Sequence, residues 1–196
     1  MTFQIGNSFV YHRVPSNLVG GTLYPLNALA LVHLEEAEFH QKKYQGREQI
    51  IEARIPPLDC LWNDVLMLSP VHPGLLIQAL RDGGRIIPPQ HWYAVDATLL
   101  EPERTSLFIG PLEKTLTFSS EDYLEFSPEN LQAHFTPVKQ TLERLRSQAL
   151  EPRVFMFTDI PHVFTRGHLR LPTCSSWKFK LHQVKKADCF CPHRTE

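Results

Sequence analysis

At 196 residues the chain has room for one medium domain with a buried core, and a composition of 42% hydrophobic and 21% charged residues excludes a disordered polypeptide. A formal net charge of −1 excludes a global electrostatic pull toward nucleic acid or an anionic membrane. The 16 prolines disfavour a helical bundle and point to many short strands and turns, so a mixed α+β domain is expected.

In chain order, residues 1–6 lack the basic and apolar regions of a secretory leader, and no stretch is long and apolar enough to span a bilayer. A cytoplasmic location follows as the expectation, with Cys60, Cys174, Cys189 and Cys191 reduced, since their uneven spacing is unlike a disulfide framework. Residues 9–14 combine aromatic and β-branched side chains and read as a strand, closed by the turn formers Pro15, Ser16 and Asn17. Gly20 and Gly21 permit positive φ or a close backbone approach, and residues 22–26 read as a second extended piece. The stretch 9–27 has the make-up of the lip of a site, with His12 and Arg13 at a strand end, a glycine turn and then Tyr24. The same residues also suit an ordinary hairpin with a satisfied histidine and a surface arginine.

Asn27 is placed to cap a helix over residues 28–44, ended by Lys42, Lys43 and a left-handed Gly46. Residues 48–55 read as extended up to Pro56 and Pro57. The run 65–68, Val-Leu-Met-Leu, reads as a strand buried on both faces, with Trp62, Asn63 and Asp64 before it and Ser69 and His72 after it. Polar groups at both ends of a strand suit a site, and they equally suit ordinary turns. A helix over 73–82 starts at a proline and stops at Gly83 and Gly84.

Strands are expected at 91–96 and 106–110, an edge hairpin or lid at 112–126, and helix starts at Ser127-Pro128 and Thr136-Pro137. Residues 153–158 and 162–171 read as the closing strands. From 172 the chain is basic, and 177–182 alternate apolar and cationic residues, so this tail is suited to dock on a partner as an added strand. Cys189, Cys191 and His193 resemble half a metal site, but the cysteine spacing is shorter than zinc sites use. Residues 1–171 are thus expected to form one domain and 172–196 a partner-binding tail.

The chain carries no phosphate-binding Gly-x-x-x-x-Gly-Lys-Ser/Thr loop, no Gly-x-Ser-x-Gly elbow and no His-Glu-x-x-His helix. What remains at the strand ends is His, Arg, Tyr, Asn, Asp and Trp. That set suits an anionic, aromatic small molecule such as a nucleotide, with Arg13 for a phosphate and Tyr24 or Trp62 for a ring.

The order strand-Tyr11-His12, a turn with Asn17-Leu18, glycine, and a short apolar strand resembles the opening NAD-binding segment of the DNA-targeting ADP-ribosyltransferase toxins and, more distantly, of the RNA 2′-phosphotransferases. Residues 64–76 are similar to the strand, proline-containing loop and apolar continuation that follow there, and the strands around Pro161 fall where the last strands of that family's sheet would. The resemblance runs in order over most of 9–171. It departs at Val14, where the family has a hydroxyl, and at the late catalytic acid, for which Glu151 is the nearest residue.

The resemblance implies a single domain with a central, mostly antiparallel split sheet flanked by helices, and NAD as a substrate. It implies that His12 meets the NAD ribose, that Arg13 meets the pyrophosphate, that Asn17 helps bind the cofactor, that Tyr24 or Trp62 stacks, and that Glu151 is the catalytic acid or base. The implied activity is mono-ADP-ribosylation of a nucleic acid or protein by a toxin or defence effector, with an antitoxin or chaperone held at the tail. Two other readings stand beside it. One is a non-enzymatic partner-binding protein that uses the tail. The other is a metal-independent ribonuclease using His12, His72 and Arg13.

Overall fold

A computed structural model describes residues 9–15, 21–46, 48–110 and 119–171, together with the backbone course of 176–180. The chain runs β1 (Phe9–Arg13), β2 (Thr22–Leu23), α1 (Leu26–Val32), α2 (Leu34–Gln41), β3 (Arg54–Ile55), β4 (Cys60–Leu61), β5 (Val65–Leu68) and α3 (Pro73–Asp82). It continues through β6 (His91–Asp96), β7 (Thr105–Phe108), β8 (Tyr123–Glu125), α4 (Pro128–Gln132), α5 (Lys139–Ser147), β9 (His162–Arg166), β10 (Leu169–Arg170) and β11 (Ser176–Lys180). This is the expected α+β class.

All strand pairs among the described residues are antiparallel. One sheet has the order β5-β9-β7-β8 and a second the order β1-β6-β11, while β2 pairs with β10 and β3 with β4. The two larger sheets meet where Tyr11 and Ser69 exchange backbone hydrogen bonds, each of 2.8 Å, so β1 passes beside the end of β5. Val10, Leu66, Leu68, Val95, Leu107 and Val163 form the apolar core between them. The Val-Leu-Met-Leu run makes β5 because three of its four side chains are buried, the burial that a continuous apolar strand requires. On the other side of β5, Phe108 and Phe164 stack at 5.3 Å and Trp62 meets Phe164 edge-on at 5.4 Å. Helices α3 and α5 close a separate apolar cluster through Leu76, Leu80 and Leu145, joined by Ala149 just beyond α5.

Several local expectations give way to tertiary contacts. The helix expected over 28–44 is two helices broken at His33, whose φ of −148° is not helical. Pro25 stands at its N-terminus instead of Asn27, which lies within α1 and donates from Nδ2 to Asp64 at 2.7 Å. Residues 48–55 form a short 3-10 turn, Glu48–Ile50, before the two-residue β3. Residues 153–158 form turns and no strand, with Met156 and Phe157 packed against the α3–α5 cluster. The second late helix begins at Lys139, after Val138, and not at Pro137. Residues 112–118 of the expected hairpin lie outside the described residues, while its later part is β8, which among the described residues pairs only with β7 in the four-stranded sheet. The alternating stretch of the tail supplies β11, which pairs with β6 of its own chain, and residues 181–196 lie outside the described residues.

Candidate functional site

Register explains the gathering of the site. Pairing of β1 with β6 sets His12 opposite Tyr93 and Arg13 opposite Trp92, and Val14 N–H continues the ladder to the His91 carbonyl at 3.0 Å. The exit of β1 and the entry of β6 therefore share one end of the sheet. β2 is tied to β10 and carries the chain past Tyr24 into α1, while α1, packed on α2, lies against the turn that precedes β5. Between these elements lies an open cleft of about 870 Å³. That volume falls within the range of small-molecule sites.

Of the residues singled out in the sequence, His12, Arg13, Tyr24 and Trp62 all line this cleft. Asn17 lies outside the described residues. Glu151 does not join them. It stands exposed in the turn after α5, where its backbone carbonyl accepts a 2.9 Å hydrogen bond from Arg85 on the loop after α3. His72 is also elsewhere: its Nδ1 accepts from Gly74 N–H at 3.1 Å and caps α3, and its ring packs edge-on against Tyr11 at 4.9 Å. His72 is thus not among the residues that line the cleft with His12.

The lining side chains divide the work among themselves. Trp62 is buried, donates from Nε1 to the Tyr44 hydroxyl at 3.2 Å and packs on Phe164, so it forms wall and not an open stacking plane. Tyr24 is only partly buried, with His168 tilted at 5.8 Å on one side. It is the ring better placed to stack on a ligand. Arg13 and Lys43 bring fixed positive charge to the lining, and His33, His40 and His91 surround them. Glu36 is the one carboxylate among the described lining residues.

Electrostatics sharpens the role of His12. Burial pushes its pKa from 6.5 down to about 4; the Arg13 backbone favours the proton and opposes the shift, while the charges of Lys43 and His40 add to it. The His40 pKa is lowered as well, by burial first and then by Lys43, against the pull of Glu36. At neutral pH His12 is thus an uncharged imidazole, suited to a hydroxyl and not to a phosphate. Anion recognition falls to Arg13 and Lys43.

Four buried polar atoms of lining residues have no hydrogen-bond partner among the described residues: His12 Nδ1, Gln90 Oε1, and both Nδ2 and Oδ1 of Asn63. Buried polar atoms in folded proteins are nearly always paired, so their concentration beside one cleft marks it chemically. Sequence reading gave Asn63 no role and did not place Glu36 or Lys43 in the site. For Asn63 the signal was present in an amide set between Trp62 and Asp64 at the start of a buried strand. Lys43 read as a helix-end cation, and nothing in the helical pattern separated Glu36 from its exposed neighbours Glu35 and Glu38. No protein-family model, curated protein or solved structure matches the chain.

Proposed function

We propose that the cleft binds NAD and that the chain transfers ADP-ribose from it to a nucleic acid or protein acceptor, with Glu36 as the working carboxylate in place of Glu151. The observation that carries the reading is the meeting of Arg13, Lys43, the Tyr24 ring and Glu36 around one space of dinucleotide size. Arg13 and Lys43 hold the pyrophosphate, neutral His12 meets a ribose hydroxyl, and Tyr24 covers a ring. The order of segments along the chain, similar to the NAD-binding opening of the ADP-ribosyltransferase toxins, supports the same choice.

In the reaction the bond between ribose C1′ and the nicotinamide nitrogen breaks, and its electron pair leaves with nicotinamide, which becomes neutral. Positive charge develops on the ribose, and a carboxylate beside it stabilises the transition state more than the ground state. The acceptor nucleophile then bonds to C1′ and loses its proton to Glu36 or to water. Calorimetric titration with NAD, followed by chromatography for released nicotinamide, tests both halves. A folded protein that neither binds NAD nor releases nicotinamide rejects the proposal, whereas binding without release keeps the site and rejects the transferase activity.

A further inference from the structure

The turn Trp62–Asp64 is pinned on both sides of its middle residue. Trp62 donates from its backbone to Ala53 at 2.8 Å and from its indole to Tyr44 at 3.2 Å. The Asp64 carboxylate accepts from Asn27 Nδ2 at 2.7 Å and from Leu61 N–H at 2.9 Å, and its carbonyl accepts from Gly167 N–H at 3.0 Å. Between them Asn63 is 2% exposed and lines the cleft, and neither end of its carboxamide has a hydrogen-bond partner among the described residues.

A buried carboxamide with donor and acceptor both unpaired costs stability that an apolar side chain of similar size would not. The neighbours Val65 and Leu66 are buried apolar side chains. An amide kept there on a turn held by its flanking residues holds a donor and an acceptor side by side within the cleft wall, the form that recognises a matching planar edge. Gln90 and His12 contribute single unpaired atoms to the same cleft and lack this paired character.

We propose that Asn63 is the specificity-determining residue of the cleft, its carboxamide pairing with a planar edge that carries an N–H donor beside an acceptor on one of the two ring systems of the ligand. The proposal rests on the reading of the cleft as an NAD site. NAD carries two such edges. One is the carboxamide of nicotinamide, and the other is the adenine edge of the 6-amino group and its neighbouring ring nitrogen, the edge that asparagine reads in nucleic acids.

The test compares dissociation constants of the wild type and Asn63→Leu for NAD, for nicotinic acid adenine dinucleotide and for nicotinamide hypoxanthine dinucleotide. The first analogue replaces the carboxamide by a carboxylate, and the second replaces the adenine amino group by an oxo group. The wild type is expected to bind one analogue about 10- to 100-fold more weakly than NAD, which names the ring that Asn63 reads. Asn63→Leu is expected to bind NAD about as weakly as that analogue and to lose the discrimination. Its melting temperature should equal or exceed that of the wild type, because two unpaired polar atoms are gone. Asn63→Ala gives the same binding readout if leucine proves too bulky. Equal binding of all three ligands by the wild type overturns the role of Asn63 while leaving the NAD site standing, as does discrimination that survives in both variants. Failure of the wild type to bind NAD overturns both.

Discussion

Asp64 holds Asn27 across 37 residues of sequence, its Oδ1 accepting the Asn27 amide at 2.7 Å while Oδ2 accepts Leu61 N–H at 2.9 Å. One carboxylate thereby ties the first turn of α1 to the turn that enters β5. The lip that follows β2 and the wall formed by Trp62 and Asn63 are fixed relative to each other by this link. Neither residue lines the cleft, so both act through the residues they position.

Breaking that link should loosen the cleft as well as the fold. Asp64→Ala removes two charge-assisted hydrogen bonds at a partly buried position and should cost about 2–4 kcal/mol in urea unfolding. Asn27→Ala, which removes one of them, should cost about 1–2 kcal/mol. NAD affinity should fall in both, more in Asp64→Ala, and unchanged stability in Asp64→Ala would contradict the link.

Two carboxylates can be set against each other directly. Glu36→Gln should lower nicotinamide release about 100-fold or more with little change in NAD affinity, since a carboxamide cannot balance charge developing on the ribose. Glu151→Gln should leave both quantities as they are, because its side chain is exposed on the turn beyond α5. The reverse result would return catalysis to Glu151 and remove Glu36 from it.

Arg13 is exposed, so its replacement should spare the fold. Arg13→Glu should weaken NAD binding at least tenfold, and the remaining affinity should depend less on salt than that of the wild type. Equal salt dependence in the two proteins would show that Arg13 does not meet the pyrophosphate.

Glycines distinguish tertiary crowding from local strain. A Cβ at Gly83 would run into the Arg146 carbonyl oxygen and stand 2.5 Å from the Ala149 Cβ, at the contact of α3 with α5. Gly83→Ala should therefore cost about 2–3 kcal/mol by overpacking. Gly46 has a φ of +77° and open space around its Cβ position, so Gly46→Ala should cost only about 1 kcal/mol. Thermal melts of the two variants check the order.

Acid should weaken the protein before its carboxylates titrate. His12 and His162 are both pushed by burial from 6.5 down to about 4, with the Arg13 and Ile160 backbones respectively opposing the shift. Between these values the unfolded chain binds more protons than the folded one, so stability rises with pH and is lost as pH falls from about 6.5 through about 4. Each histidine is expected to contribute on the order of 2–3 kcal/mol to that loss. The urea midpoint measured from pH 7.5 to 4 should fall accordingly, and a flat profile would contradict the burial of both rings as neutral species.

Elements that rest on local rules were legible in the residues. α3 begins at Pro73 and ends at Gly83 because proline fits a first helical turn and the next residue, Gly84, takes a φ of +92°. β1, β5, β6 and β9 follow from short apolar and β-branched runs bounded by turn formers. His12, Arg13 and Tyr24 could be placed in one site from sequence because they lie within a dozen residues of one another on a strand, a turn and its continuation.

The remaining assignments needed partners that lie far away in the chain. Asn27 lies inside α1 and donates across to Asp64, and residues 153–158 form no strand, with Met156 and Phe157 packed on the α3–α5 cluster. Glu151 and Glu36 are both acids on polar surfaces, and only the folding of α2 over the cleft separates the one that meets it from the one that does not. Asn63 reads as one of several polar residues at the ends of a buried strand until packing buries it with no hydrogen-bond partner among the described residues. Local patterns suffice for the class of the fold and for His12, Arg13 and Tyr24 at the lip, since helix period, strand period and capping act over a few residues. Which carboxylate, which amide and which imidazole line the same cleft depends on long-range packing, because register between strands such as β5 and β9, about 100 residues apart, is set by burial of whole faces and not by any local pattern.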